Sequence, residues 1–331
     1  LMAQQRDRAR AAGKFSGNAG LPAEVVANLH ATEFKGYEKA ECDGCRVLAL
    51  LKDQQPVQQL AAGEQGVVIL DKTPFYAESG GQVGDSGVLC AGDSLRFEVQ
   101  DTQKLSAKFH GHSGRLMAGT LTVGDKVSAR IDVDKRQQTV LNHSATHLLH
   151  AALRSVLGEH VSQKGSLVTP ERTRFDFSHF QAVSAEQLQQ IEAMVNAEIR
   201  ANAEAEVHHM GMQEAIDFGA MALFGEKYGE RVRVLKMGSF STELCGGTHV
   251  HRTGDIGVFK ILSEAGVAAG VRRIEATTGE HAIAVFKQAE DALQKASALV
   301  GARSGDVLER LQQVLDRQKL LERELEAFKA K

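Results

Sequence analysis

Thr139-Val-Leu-Asn-His143-Ser-Ala-Thr-His147-Leu-Leu-His150-Ala-Ala-Leu-Arg154 is an apolar-periodic run that predicts a helix over 136–157, stopped at Gly158. Side chains four apart share a helical face, so His143 and His147 can reach one ion. Further along, Cys245-Gly-Gly-Thr-His249 repeats the four-residue spacing on a different backbone. It follows a strand-like run, and Gly246 and Gly247 predict a tight turn there. Three imidazoles and one thiol make a complete tetrahedral donor set for zinc. Neither pair alone carries a metal assignment; together they do, and they require helix and turn to meet. His150 continues the helical face, but Cys245 and His249 already complete the set. It is therefore expected beside the ligands or at the surface.

The rest of the chain is bounded by its composition. At 331 residues, 43% of them hydrophobic, it can bury more than one core, and two to three domains are expected. A formal net charge of −3 gives no global attraction for nucleic acid, so such binding would need local basic patches. Four cysteines without regular spacing exclude a disulfide framework. With no signal peptide or apolar span, a cytoplasmic protein without a membrane partner is expected. Leu1 opens and Lys331 closes in helical patterns, which suggests a fragment of a longer protein.

Residues 1–14 read as the end of a charged helix closed by Gly13. Its Arg6, Arg8, Arg10 and Lys14 suit either a phosphate backbone or, with greater weight, a solvated face. A short amphipathic piece follows at 21–32. From about 44 to 133, short β-type runs at 46–51, 66–70, 94–99 and 126–132 alternate with turn signals, which predicts a small β-barrel. Within it, the Gly-rich stretch Thr73–Gly87 reads equally as a loop closing on a ligand or as an irregular barrel corner. Residues 136–280 mix helices and strands. A strand is expected at 174–178, and a capping box at Ser184 opens a helix with the stripe Leu188, Ile191, Val195 and Ile199. A further helix is expected at 213–224, and strands at 232–237, 256–262 and 271–277. From 280 the chain is helical again. Val307, Leu311, Val314, Gln318, Leu321, Leu325 and Phe328 fit a coiled-coil seam or an ordinary amphipathic helix equally well. The fold class is thus α+β: a small β-barrel, an α+β zinc-binding core, then coiled-coil-like C-terminal helices.

Cys42-Asp-Gly-Cys45 is a rival metal pair, but it lacks a second pair, and a turn with two incidental thiols is the better account. His208 and His209 are adjacent, point apart, and are assigned to the surface. Around the ligands, Thr146 can aim a hydroxyl into the same pocket, and Gln163 offers an amide. Of Arg272 and Arg273 on one strand, alternation sends one inward, where it would suit an anionic group.

His-Ser-Ala-Thr-His at 143–147, Cys-Gly-Gly-Thr-His at 245–249 and Pro-Phe-Tyr-Ala-Glu-Ser-Gly-Gly-Gln at 74–82 closely resemble bacterial alanyl-tRNA synthetases. The two metal pairs are shared with the free-standing AlaX editing proteins. The resemblance implies an editing fragment that hydrolyses seryl- and glycyl-tRNA(Ala), because a pocket sized for alanine excludes glycine and serine only weakly. It implies zinc on His143, His147, Cys245 and His249, with Cys245 also needed for catalysis. It implies an amino-acid pocket shaped by Thr146 and Gln163, and support of the tRNA end by Arg272. It divides the chain into the end of a helical tRNA-recognition region (1–30), a β-barrel (31–135), an editing domain (136–280) and the start of a helical homo-oligomerisation region (281–331). The family's class II aminoacylation domain is not recognised here, so aminoacylation is expected only of the full-length protein, with ATP. Two alternatives remain: a free-standing trans-editing hydrolase, and a non-enzymatic zinc-stabilised tRNA-binding and dimerisation module.

Overall fold

The computed structural model describes residues 29–106, 108–221 and 229–330. The Arg-rich stretch 1–14, most of the piece at 21–32, and residues 222–224 of the helix expected at 213–224 lie outside the described residues.

Six antiparallel strands form the barrel: β1 (Glu41–Lys52), β2 (Gln65–Leu70), β3 (Gly87–Ala91), β4 (Leu95–Leu105), β5 (Phe109–Ala118) and β6 (Lys126–Ile131). Their spatial order is β6-β3-β4-β5-β2-β1, and β1 pairs back onto β6, closing the sheet on itself. Alternation sends Leu95, Phe97 and Val99 of β4 inward against Val127, Ala129 and Ile131 of β6. The Cys42–Cys45 turn is corrected to a bulge inside β1. Gly44 takes φ 63°, and the register against β6 shifts between Val127 and Ala129. Cys45 is fully buried there, and its thiol donates to the Cys42 carbonyl at 3.2 Å.

β5 escapes sequence reading because Phe109-His-Gly-His-Ser-Gly looks like a turn. Its Gly114 serves close approach: a Cβ there would sit 1.8 Å from the Glu98 carbonyl oxygen. Its His112 is fully buried, with Nδ1 donating to the Val68 carbonyl and Nε2 accepting from the Thr73 hydroxyl, both at 2.8 Å. Burial pushes the imidazole pKa down to about 3, although the Val68 carbonyl favours the charged ring.

Beyond the barrel come α1 (Val133–Leu157), β7 (Gln163–Val168), β8 (Thr173–Ser178), α2 (Ala185–Ala201), β9 (Ala205–Gly211), α3 (Met212–Asp217), β10 (Arg231–Met237), β11 (Ser241–Leu244), β12 (Phe259–Ala268) and β13 (Val271–Thr278). Asp132 caps α1 by accepting from Lys135 N, so the helix starts at Val133, before the expected 136. The Ser184–Gln187 capping box starts α2. α3 ends at Asp217, short of 224, because Gly219 at φ 87° breaks the helix. β12 begins at Phe259, after a 3₁₀ turn at Thr253–Ile256. The strands form two antiparallel sheets, β7-β8-β13-β12 and β9-β10-β11. α1 and α2 share a core with the first: Leu148, Leu149, Ile191 and Val195 meet Phe175, Phe177 and Ile274.

A second compact unit, Gly279–Lys331, holds α4 (Gly279–Val300) and α5 (Val307–Lys329). The α5 stripe Leu311, Val314, Leu321, Leu325 and Phe328 is exposed. Among the described residues no helix is long and apolar enough to cross a membrane.

One buried cation ties the barrel to α1. Arg136 forks onto Asp85, donates Nη1 to the Gly36 carbonyl at 2.8 Å and Nη2 to the Pro74 carbonyl at 3.0 Å. Asp85 also accepts from Tyr76 N at 2.7 Å. Arg136→Ala leaves that carboxylate buried without its partner and is expected to cost about 3–5 kcal/mol in denaturant unfolding. Lys at this position should recover only part, because it lacks the planar fork. His112 contributes to acid sensitivity. Its folded pKa lies below the unfolded value, so the unfolded chain binds the extra proton as pH falls from about 6.5 towards 3. Each unit in that window should remove up to about 1.4 kcal/mol, and His112→Gln should flatten the slope of stability against pH.

Candidate metal centre

α1 presents His143 and His147 one turn apart, their rings stacked with centroids 5.2 Å from each other. The turn after β11 brings Cys245 and His249 to the same point. The four donor atoms lie within 4.8 Å of one another. Cys245 Sγ is 3.6 Å from His143 Nε2 and 3.4 Å from His249 Nε2, and His147 Nε2 is 3.2 Å from His249 Nε2. Zinc bonds of about 2.0–2.1 Å to nitrogen and 2.3 Å to sulfur give a tetrahedron with edges of about 3.3–3.6 Å. The three spacings of 3.2–3.6 Å are close to those edges, so the group could hold an ion of this kind. Gly247 is needed at the crossing, since a Cβ there would lie 2.1 Å from His143 Cε1.

Outer partners fix which nitrogen each ring points inward. His143 Nδ1 donates to Gln82 Oε1 at 2.8 Å, and His147 Nδ1 to Glu243 Oε2 at 2.6 Å. Both Nε2 atoms are thereby left as lone-pair donors. His150, expected beside the ligands or at the surface, is buried behind them and donates Nδ1 to Glu243 Oε1 at 2.9 Å. Burial alone would raise the Cys245 thiol, but His249, His143 and His147 outweigh it and hold the pKa well below the usual thiol range. Burial disfavours a charged His147, yet the Cys245 thiolate and Glu243 raise its pKa to about 10. Glu243 is drawn down to about 2 by His147 and His150 against its own burial. A thiol and a carboxyl group both held toward their charged forms among imidazoles suit a divalent cation.

His143, His147 and Cys245 line a cavity of about 380 Å³, within the range of small-ligand pockets. Thr146 and Gln163 line it too, as do Ser166 and Phe175 of the four-stranded sheet. The Thr146 hydroxyl donates to the Asn142 carbonyl at 2.8 Å and pairs with Thr173 Oγ1 at 2.7 Å. The Gly-rich stretch supplies the opposite wall. Ser79-Gly80-Gly81-Gln82 is a two-residue hairpin turn with φ of 58° and 86° at its glycines, and Ser79 and Gly80 face the cavity. It is a barrel corner whose tip lines the cavity.

Arg272 is not brought to the cavity. It forks onto Glu264 at 2.5 and 2.6 Å, and Arg273 onto Asp176 at 2.6 and 2.7 Å. The expected inward arginine is supplied from another strand: Arg231 and Arg233 of β10 line the cavity, with Lys104 of the barrel. Arg233 donates to the Cys245 carbonyl at 2.7 Å and lies 4.7 Å from the Tyr37 ring centroid, while the Tyr37 hydroxyl donates to the Gly246 carbonyl at 2.6 Å. Sequence reasoning missed Gln82, Glu243, Tyr37 and Arg233. The one signal for Glu243 was a lone carboxylate two residues before Cys245. His209 is exposed as expected, whereas His208 is half-buried, 5.2 Å from the Phe218 ring.

Cobalt(II) added to the chain is expected to give a thiolate-to-metal absorption band that Cys245→Ser abolishes. Glu243→Gln should keep the band and weaken affinity about 10–100-fold, read by competition with a chromophoric chelator. A band that survives Cys245→Ser would place the metal elsewhere.

Comparison with known proteins extends this picture. Residues 1–135 match the family described as tRNA synthetases class II (A). Residues 232–275, from β10 to β13, match the threonyl and alanyl tRNA synthetase second additional domain. The chain is 63% identical over 330 residues to the alanine–tRNA ligase of Stenotrophomonas maltophilia (strain K279a). Identity is 61% to that of Xanthomonas campestris pv. campestris (strain B100) and 60% to that of Xanthomonas oryzae pv. oryzae (strain PXO99A). Each alignment covers 100% of this chain and 37% of the relative.

Proposed function

Because the chain belongs to the alanyl-tRNA synthetase family, we propose that its cavity hydrolyses seryl- and glycyl-tRNA(Ala) at a zinc ion held by His143, His147, Cys245 and His249. The observation that carries this reading is the convergence of those four donors, three of them (His143, His147 and Cys245) lining a cavity shared by barrel loop, helix and sheet. Zinc bound there would supply Lewis acidity beside the ester. The remaining work falls to the chain's own side chains. Thr146, with its proton donated to Asn142 or Thr173, has a lone pair to accept the substrate serine's hydroxyl. The Gln163 amide faces the same space and can hold the amino-acid end. Lys104, Arg231 and Arg233 suit the phosphodiester next to the terminal adenosine. Ser79 and Gly80 cover the opposite side and limit water. Arg272, fixed on Glu264, would act by shaping the end of β13.

Alanine ligation, the activity in the relatives' names, is proposed for the whole protein, cytoplasmic and with tRNA(Ala) as its partner. Identity of 63% to an alanine–tRNA ligase over the whole of this chain and 37% of that relative favours this over a free-standing editing protein. The same reading assigns 1–30 to a tRNA-recognition region, 31–135 to the barrel, 136–280 to the editing domain and 281–331, with its exposed α5 stripe, to homo-oligomerisation.

Release of serine from seryl-tRNA(Ala) tests the reading. Cys245→Ala should lower the rate by more than the roughly 10–100-fold typical of losing an outer partner. Thr146→Val should slow seryl-tRNA hydrolysis about tenfold while affecting glycyl-tRNA less, because only serine offers the hydroxyl. Undiminished hydrolysis by Cys245→Ala removes Cys245 from the reaction. A wild-type chain that takes up zinc but releases no serine supports a zinc-stabilised binding module instead.

A further inference from the structure

Gln82 is completely buried, and every polar atom of its side chain is engaged with the metal centre's scaffold. Its Oε1 accepts from His143 Nδ1 at 2.8 Å and from Thr248 N at 2.9 Å, and its Nε2 donates to Thr248 Oγ1 at 2.8 Å. The amide orientation follows from chemistry. Thr248 N can only donate, and His143 must donate from Nδ1 if Nε2 is to bind an ion, so both require the oxygen. One side chain from the barrel loop thereby joins the helix that carries the first donor pair to the turn that carries the second.

The backbone of Gln82 has a different attachment. It closes the Ser79–Gln82 hairpin through reciprocal bonds of 3.0 and 3.2 Å. Gly81 O accepts from Val168 N at 2.7 Å, and Val83 N donates to Val168 O at 3.1 Å. A Cβ on Gly81 would lie 2.6 Å from the Ser166 carbonyl oxygen, so the turn rests directly on β7. Ser79 and Gly80 at its tip line the cavity. The hairpin wall and the donor set therefore share one mechanical link.

We propose that Gln82 is a positioning residue that couples occupancy of the donor set to ordering of the Ser79–Gln82 hairpin over the cavity. An ion that fixes His143 fixes the acceptor of its Nδ1–H, and with it the hairpin. By linkage, whatever holds the hairpin closed tightens the ion by the same factor. A substrate pressing on Ser79 and Gly80 would then be felt at the metal. The inference rests on metal binding by the four donors, and is independent of whether the cavity hydrolyses an ester.

Zinc affinity by chelator competition and hydrogen exchange of the peptide spanning 76–86, each with and without zinc, test it. In the wild-type chain zinc should slow exchange across the hairpin. Gln82→Leu should weaken zinc about 10–100-fold and, even at saturating zinc, show none of that protection. Gln82→Glu should rescue both, because a carboxylate accepts from His143 and Thr248 N while Thr248 Oγ1 turns to donate. The cobalt(II) spectrum should shift in Gln82→Leu and return in Gln82→Glu. Wild-type affinity in Gln82→Leu, or equal protection by zinc in both proteins, overturns the coupling. If Gln82→Leu does not fold, Thr248→Val takes its place. It removes one of the three bonds, and unaltered affinity and protection there would be equally fatal. No zinc uptake by the wild-type chain removes the metal reading and this inference together, which separates that failure from the failure of the coupling alone.

Discussion

A thiolate and a carboxylate sunk in the same interior must be compensated, and that requirement organises the larger part of this molecule. Cys245 is held toward its charged form by His249 of its own turn with His143 and His147 of α1, and Glu243 by His147 and His150 of α1. Burying such charges unpaired would cost several kcal/mol each, so the charged forms depend on α1 and the turn after β11 meeting. The apolar core beneath, where Leu148 and Leu149 meet Phe175 and Ile274, supplies the driving force for that assembly. The polar centre supplies its register. A one-residue slip of α1 would rotate His143 and His147 off the seam by about 100°.

A second buried pair plays the matching part at the barrel. Arg136 enters through the first turn of α1, and Asp85 leaves the Gly-rich stretch a few residues after Gln82. The stretch is therefore fastened to α1 twice, at its foot by Arg136 and near its tip by His143. Between those two fastenings lies the hairpin that walls the cavity. This accounts for a segment so rich in glycine yet so fixed: Gly81 buys close approach to β7, and rigidity comes from the polar contacts on either side.

How much of this could be read beforehand depended on how local the determining physics was. The helix over 139–154, the two four-residue donor spacings and the capping box at Ser184 are local patterns, and each has its counterpart in the structure. The barrel was legible as a class because turn chemistry recurs between its strands. β5 was not, because Gly111 and Gly114 mark close approach to Leu105 and Glu98, and single-sequence periodicity cannot see a neighbour that is not yet placed. Gln82 and Glu243 were hidden for the same reason. Nothing about a glutamine after two glycines, or a glutamate between a threonine and a leucine, announces which histidine it will meet. Arg272 and Arg273 illustrate the reverse case. Alternation predicted one inward guanidinium, but Glu264 and Asp176 lay within reach and took both.

That reassignment bears on how a chain of net charge −3 can recognise a polyanion. A guanidinium forked onto a carboxylate has little field left to offer, so Arg136, Arg272 and Arg273 are electrostatically spent. At the cavity the situation differs. Lys104 donates to the Ser79 hydroxyl and Arg233 to the Cys245 carbonyl, both neutral oxygens that orient a cation without cancelling it. The cavity's own carboxylate, Glu243, is committed to His147 and His150. Among the described lining residues the local balance is therefore positive although the global balance is negative. In a partly enclosed, low-dielectric space, local balance governs the approach of a phosphodiester, because charges beyond about 10 Å are screened at ordinary ionic strength. On the proposed reading, a few well-placed cations beside the four-donor group would suit a site that takes only the end of a large anionic ligand, and not its length.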